Sequence, residues 1–225
     1  MSRRLPDLSP ELVLRAYRAG LFPMAEDRES PVLHWLDPPR RGILPLEGFH
    51  LPRRLYRTVR SGRMTVTADT DFAATVRQCA APLPGRPQTW INDQIEAVFI
   101  ALHRAGYAHS VEAWADGVMV GGLYGVSLGA AFFGESMFST ARDASKLALA
   151  HLVARLRLGG FILLDTQFVT NHLAQFGARE VPRAHYRALL ATALSRPARF
   201  PPCPAAADLL SEFSEMALGE GIARG

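Results

Sequence analysis

Cysteine is nearly missing from this chain: Cys79 and Cys203 are the two among 225 residues. That count excludes a disulfide framework and a cysteine-built metal cluster, and it fits a reducing cytoplasm. Lysine is scarcer still. Of 25 Lys and Arg residues only Lys146 is lysine. The guanidinium that replaces it everywhere else is well suited to phosphate recognition, although genomic base composition produces the same bias, so the count alone assigns no partner. No apolar run reaches the roughly 20 residues of a membrane helix. Val118 to Gly134 carries no charge, but it is short and holds five glycines. The start, Met1-Ser2-Arg3-Arg4-Leu5-Pro6-Asp7, has arginines with no apolar segment behind them, so no signal peptide is expected. There is no internal repeat of roughly 20–50 residues. No His-Glu-x-x-His pattern occurs, and no histidine stands near a cysteine at zinc spacing.

What is present reads as a soluble globular protein, with 48% hydrophobic and 20% charged residues and a formal charge of +4. The length suffices for one large domain, or a main domain with a small partner. Ser9-Pro10-Glu11 predicts a helix start, with Gly20 ending it. Short strands are expected at Val32–Trp35 and Gly42–Leu46, a helix at Pro52–Arg60, a strand at Met64–Thr67 and a helix at Asp71–Cys79. Pro82 to Gln88, with three prolines and a glycine, reads as a loop. Asn92 or Asp93 then caps a helix to Arg104. Asp116-Gly117 signals a hairpin between Ala108–Ala115 and Val118–Val126, and a third strand follows at Ala130–Phe138. A long helix at Arg142–Leu158, a buried strand at Phe161–Asp165, a short helix, a strand near Ala178–Val181 and a helix at Arg183–Leu194 complete the order. The tail after Arg196, rich in proline and alanine, is expected to be loosely held. Helices, a meander, then alternating helix and strand give an α+β class.

Two segments set polar groups among large apolar ones: Phe132-Phe133-Gly134-Glu135-Ser136-Met137-Phe138-Ser139 and Leu163-Leu164-Asp165-Thr166-Gln167-Phe168. Asp165 and Gln167, two apart, share a face of a regular strand. Buried polar groups need partners, so each segment is either a satisfied structural network or part of a site; two in one chain favour a site. Gly125-Val126-Ser127-Leu128-Gly129 matches the G-x-S-x-G of serine hydrolases, with Asp165 and His172 or His185 in chain order. The following residues read as a strand, however, where that motif needs a strand-to-helix elbow. Arg53, Arg57 and Arg60 share one helix face, which either tracks phosphates or is simply solvated. Arg18, Arg40 and Arg41 are candidates to extend the basic surface, but the sequence does not place them. Trp90, at a loop–helix junction, either packs in the core or stacks on a base. Lys146 either solvates its helix or neutralises a phosphate or carboxylate, and His109 reads as structural.

An ordered series of these residues resembles the leucyl/phenylalanyl-tRNA–protein transferase family. It comprises Ala16-Tyr17-Arg18-Ala19-Gly20-Leu21-Phe22-Pro23, His34-Trp35, Thr89-Trp90-Ile91, His109-Ser110-Val111-Glu112, Gly121-Gly122-Leu123-Tyr124-Gly125-Val126, Gly134-Glu135-Ser136-Met137-Phe138-Ser139, Ala144-Ser145-Lys146 and Asp165-Thr166-Gln167. The resemblance implies a bacterial, cytoplasmic aminoacyltransferase. It would move Leu, Phe or, less well, Met from aminoacyl-tRNA to proteins beginning with Arg or Lys. The product is an N-degron, passed to an adaptor and an ATP-dependent protease. It also implies a small N-terminal domain (residues 1–42), a catalytic domain similar to the GNAT acyltransferases with a largely antiparallel sheet (43–196), and a C-terminal tail (197–225). No cofactor, metal or membrane is implied, and members act as monomers.

By the same resemblance Asp165 and Gln167 fall on the catalytic pair and Glu135 on the active-site glutamate. Met24, Trp90, Phe99, Phe132, Met137 and Leu152 fall on the aminoacyl and terminal-adenosine site, with Trp90 beside the adenosine. Arg53, Arg57 and Arg60 fall on the basic helix that holds the acceptor stem. Met24 stands where many members have Trp, Phe99 for a Tyr and Leu152 for a Phe, and the chain begins later than longer members. Two rival readings are an acetyl-CoA-dependent GNAT-type N-acetyltransferase, whose pyrophosphate loop is not found here, and a non-catalytic RNA-binding module.

Overall fold

The structure, a computed structural model, describes residues 8–82 and 88–218. The readings of the first residues, of the middle of the proline-rich loop and of the end of the tail lie outside the described residues. Helix α1 (Pro10–Arg18) begins as its sequence dictates, with the Ser9 hydroxyl accepting from Leu12 N at 3.2 Å and Pro10 in the first turn. A two-stranded antiparallel sheet follows, β1 (Phe22–Ala25) with β2 (Leu33–Leu36), pairing Met24 with His34. Strand β1 is not predicted from the sequence. Its Pro23 cannot donate to a ladder and is tolerated because the strand is an edge.

The remaining strands form one seven-stranded sheet. They are β3 (Arg40–Ile43), β4 (Thr65–Ala68), β5 (Ala108–Ala115), β6 (Val118–Leu128), β7 (Ala131–Ser139), β8 (Leu163–Gln167) and β9 (Arg179–Pro182), in the spatial order β4-β5-β6-β7-β8-β3-β9. The meander β4 to β7 is antiparallel, and Asp116 and Gly117 take positive φ of 51° and 78° at its tight turn. Helix α5 (Ala144–Leu158) then crosses over to bring β8 parallel to β7. The result is α+β with a mainly antiparallel sheet.

Apolar residues cover both sheet faces. On one, α1, α3 (Phe72–Ala80), α4 (Asp93–Arg104, capped by Asn92) and α7 (Arg183–Leu194) surround Tyr17, Phe72, Phe99, Tyr124 and Phe133. On the other, α2 (Arg53–Arg60), α5, α6 (Asn171–Ala174) and α8 (Ala206–Leu218) enclose Phe132, Leu149, Leu152, Leu164 and Phe213. Phe132 and Phe133 are neighbours on β7 and so enter opposite cores. Among the described residues no helix is long and apolar enough to cross a membrane.

The end of the chain corrects one expectation. Residues after 196 are not a loose tail as far as 218. Helix α8 lays Phe213 and Met216, each 2% exposed, against α5, and Arg157 pairs with Glu212 at 2.8 Å and Glu215 at 2.7 Å. Leu209, Phe213 and Met216 recur at helical spacing, a signal submerged by the nearby prolines.

Candidate active site

Two β-bulges aim the polar residues. Along β6 and β7 the consecutive pairs are Gly125 with Gly134 and Tyr124 with Ser136, so Glu135 has no partner and is thrown out of the ladder. The close approach behind it requires Gly125, because a Cβ there would collide with the Phe133 carbonyl and the Phe132 ring. Between β3 and β8 the pairs are Gly42 with Gln167 and Ile43 with Asp165, leaving Thr166 as the extra residue. A Cβ on Gly42 would lie 2.7 Å from the Phe168 carbonyl carbon. The parallel ladder of β7 with β8 ends at Phe133 and Asp165. Beyond that point the strands part, and a cavity of about 750 Å³ opens beside them.

Its walls are mostly apolar. Phe22, Pro23 and Met24 come from β1, Leu123 and Tyr124 from β6, Met137 and Phe138 from β7, Leu149 and Leu152 from α5, and Leu164 from β8; Trp90 and Leu173 complete them. Glu135 and Gln167 meet on this wall. Gln167 Nε2 donates to Glu135 Oε1 at 3.1 Å, and the Tyr17 hydroxyl donates to the same oxygen at 2.6 Å. Among the described residues Glu135 Oε2 takes no such bond. Burial pushes the Glu135 carboxyl up to about 8; the Tyr17 bond opposes the shift, and the nearby Asp165 charge adds to it. The buried Tyr17 hydroxyl is in turn held well above its ordinary pKa, by desolvation first and the Glu135 charge second.

Asp165 is not on the cavity wall. Its carboxylate is fully buried and saturated with donors: Arg41 Nε at 2.9 Å and Tyr186 Oη at 2.6 Å among them, with Arg41 Nη2 at 2.8 Å. The backbone N–H of Gln167 donates to it at 2.8 Å. That bond holds Gln167 at a φ of 54°, in the left-handed region. Asp165 and Gln167 therefore do different things although both side chains join the network of Glu135, Tyr17 and Tyr186. Asp165 is buried against Arg41 and Tyr186, while Gln167, displaced by the Thr166 bulge and its left-handed backbone, reaches Glu135 at the cavity. Arg41 corrects a second expectation. It adds nothing to the basic surface: at 1% exposure it lies between the rings of Phe22 and Tyr186, 4.4 and 4.7 Å from their centroids, and its Nη1 donates to Gly20 O at 3.0 Å. Arg41, Tyr17 and Tyr186 are the residues that sequence reasoning missed as parts of a site.

The other expected positions divide. Met24, Trp90, Met137 and Leu152 line the cavity. Phe99 and Phe132 do not. Phe99 is wholly buried behind Tyr124, 5.2 Å between ring centroids, and Phe132 packs on Phe161 and Phe200 in the opposite core. Both side chains point into the interior on the period of their own helix or strand. Arg53, Arg57 and Arg60 are exposed on α2, which is anchored by the buried Leu55. His109 is structural, bonded through Nδ1 to Asp69 at 2.8 Å and stacked on Phe200. Ser127 lies within β6 with its hydroxyl directed to Tyr107 O at 3.4 Å, so no nucleophile elbow forms.

Comparisons with known proteins bear on the family to which the chain belongs. A family model described as leucyl/phenylalanyl-tRNA protein transferase matches residues 43–191, and one for that family's N-terminal domain matches 6–39. A leucyl/phenylalanyl-tRNA–protein transferase of Nitrobacter winogradskyi is 60% identical over 198 residues, 88% of either chain. The chain belongs to the leucyl/phenylalanyl-tRNA protein transferase family. Transferases of the same description from Rhodopseudomonas palustris and Paramagnetospirillum magneticum are each 59% identical, covering 88% and 86% of this chain and 88% and 92% of theirs. A solved C-terminal domain from Agrobacterium fabrum covers 97% of this chain and 73% of its own at 13% identity, with a TM-score of 0.40, too slight a likeness to bear on fold or chemistry. The transferase cavity draws on both matched segments: Phe22 and Met24 lie in the N-terminal match, Glu135 and Gln167 in the main one.

Proposed function

We propose that the chain moves Leu or Phe, and Met less well, from the 3′ end of an aminoacyl-tRNA to the α-amine of a protein beginning with Arg or Lys. One observation carries this reading: Glu135 and Gln167 bridge the parted strands on the wall of an apolar cavity large enough for an aminoacyl group and a nucleoside. The aminoacyl side chain sits among Met137, Leu149 and Leu152, where an unpartnered charge is costly and one methylene more or less is worth only about 1–3 kcal/mol. Trp90 offers a face to the terminal adenine. The incoming amine meets Gln167, whose Nε2 is engaged by Glu135, leaving its Oε1 to accept from the amine.

The ester is already activated, so the protein mainly positions. The amine nitrogen attacks the ester carbonyl, a C–N bond forms, and the C–O bond to the ribose breaks. The proton lost by nitrogen ends on the departing ribose oxygen. Glu135, with a pKa near that of an α-amine, takes up in its ionised form the proton that an arriving ammonium must shed, and that form gains as pH approaches and passes about 8. Asp165, saturated by Arg41 and Tyr186, is a positioning residue that fixes the Gln167 backbone. Arg53, Arg57 and Arg60 hold acceptor-stem phosphates. The product is an N-degron for an adaptor and an ATP-dependent protease, made by a cytoplasmic monomer.

The test uses purified protein, labelled Phe or Leu on tRNA and a peptide starting with Arg. Transfer without added CoA, ATP or metal supports the proposal. Acetylation of the peptide from acetyl-CoA, with charged tRNA ignored, would establish the acetyltransferase instead. Tight binding of charged tRNA with no transfer would leave an RNA-binding module.

A further inference from the structure

A second cavity, about 550 Å³, adjoins the first and shares Ser139, Ser145 and His172 with its wall. It lies between the start of α2 and the start of α5, and its chemistry differs. Asp143, the N-cap residue just before α5, has a φ of 65°, a conformation non-glycine residues seldom adopt. Its carboxylate makes no capping bond to the helix. Three cations surround it instead: Lys146 Nζ at 3.5 Å, Arg54 Nη2 at 3.6 Å and Arg142 Nε at 3.9 Å. Among the described residues, three cations to one carboxylate leave an excess of positive charge there. The side chains of Arg54 and Arg142 are 58% and 75% exposed, so an incoming anion can reach them. His172 Nε2, buried where the two cavities meet, has no hydrogen-bond partner among the described residues. Burial first, and Lys146 second, hold that imidazole below its ordinary pKa, so it stays neutral and able to donate one bond.

We propose that this second cavity seats a phosphodiester of the donor RNA, the one joining its terminal adenosine to the preceding nucleotide, with Lys146, Arg142 and Arg54 as counter-charges. The inference rests on reading the first cavity as the aminoacyl-adenosine site, since the shared wall puts the next phosphate beside it. The exposed arginines of α2 continue the same positive track outward from Arg54. An acceptor peptide is disfavoured here, because its N-terminal Arg or Lys side chain would meet an excess of like charge.

The experiment compares two minimal donors, phenylalanyl-adenosine and the phenylalanyl ester of the dinucleotide cytidylyl-adenosine. The second differs by one nucleotide and one phosphodiester. In wild-type protein at low salt the dinucleotide donor should have the higher kcat/KM, by about tenfold, with the advantage shrinking as salt rises. Lys146→Gln and Arg142→Gln should each collapse most of that advantage, and Lys146→Arg should retain it. Calorimetry with the uncharged dinucleotide and with adenosine reads the same preference without chemistry. If transfer fails from every donor while the dinucleotide still binds more tightly in a Lys146-dependent way, the transferase reading falls and the seat stands. Equal binding of dinucleotide and adenosine by the wild type, or an advantage unchanged in both glutamine variants, overturns the seat. So does a rise in KM for the Arg-initiated peptide with the donor preference intact, which would make the cavity an acceptor channel. Millimolar inorganic phosphate should not substitute for the dinucleotide's phosphate; if it accelerates transfer from phenylalanyl-adenosine and the phosphodiester confers nothing, the site serves a free anion and the proposal is wrong.

Discussion

Removing the Asp165 carboxylate would strand Arg41, a guanidinium at 1% exposure with aromatic rings on both faces. Breaking a buried pair from one side costs about 3–5 kcal/mol. Asp165→Ala should therefore lose stability on that scale along with transfer. Gln167→Ala loses one hydrogen bond, about 1 kcal/mol, yet transfer should fall by roughly a hundredfold or more. Urea unfolding and single-turnover transfer on both variants separate the roles. Wild-type stability in an inactive Asp165→Ala protein would put Asp165 at the chemistry rather than beneath it. Glu135 has a pH signature of its own. Its folded pKa is raised, so between its ordinary value of about 4.3 and about 8 the native state holds a proton that the unfolded chain has released. Stability contributed by that proton is lost as pH rises across this window. Glu135→Gln lacks the titration, so its stability relative to wild type should climb from about pH 5 to about pH 8 and then level. A difference that stays flat with pH would mean that Glu135 ionises normally. Glu135, Asp165 and Gln167 stand out in the sequence because polar groups in apolar runs demand partners. Arg41 does not, since nothing in its neighbours distinguishes a buried arginine from a surface one.

At the scale of elements, α2 is bound to the body by Leu55 and turns arginines outward, which is also the pattern of an ordinary solvated helix. Salt dependence tells the two apart. Each alanine substitution at Arg53, Arg57 or Arg60 should weaken tRNA binding and flatten its log–log slope against salt by roughly 0.7–0.9. Unchanged slopes would make the stripe a solvated face. Helix and hairpin positions were legible because caps, periodicity and Asp116-Gly117 are local signals. The bulges were not. A bulge is a relation between two strands, and the sequence shows Gly125 and Gly42 without showing what approaches them. The same-face argument for Asp165 and Gln167 assumed a regular strand, and the sequence shows neither the extra Thr166 nor the left-handed Gln167 that set the two side chains different tasks. Helix α8 escaped because Pro201, Pro202 and Pro204 dominate the composition just ahead of it.

For the whole molecule, the order of elements discloses an α+β class but not that β3, from early in the chain, is inserted between β8 and β9. That insertion brings Arg41 onto Asp165 across 124 positions of sequence, and α1 adds Tyr17 to Glu135 across 118. Contacts of such separation have no local signature. The central claim is that the cavity between the parted strands takes the aminoacyl end of the donor with its ester at Gln167. A crystal structure with a hydrolysis-resistant amide analogue of phenylalanyl-adenosine tests it directly. The phenyl ring should lie among Met137, Leu149 and Leu152, the adenine against Trp90, and the carbonyl within hydrogen-bonding reach of Gln167 or Glu135. An analogue bound elsewhere, or seated with its carbonyl remote from both residues, would contradict the account.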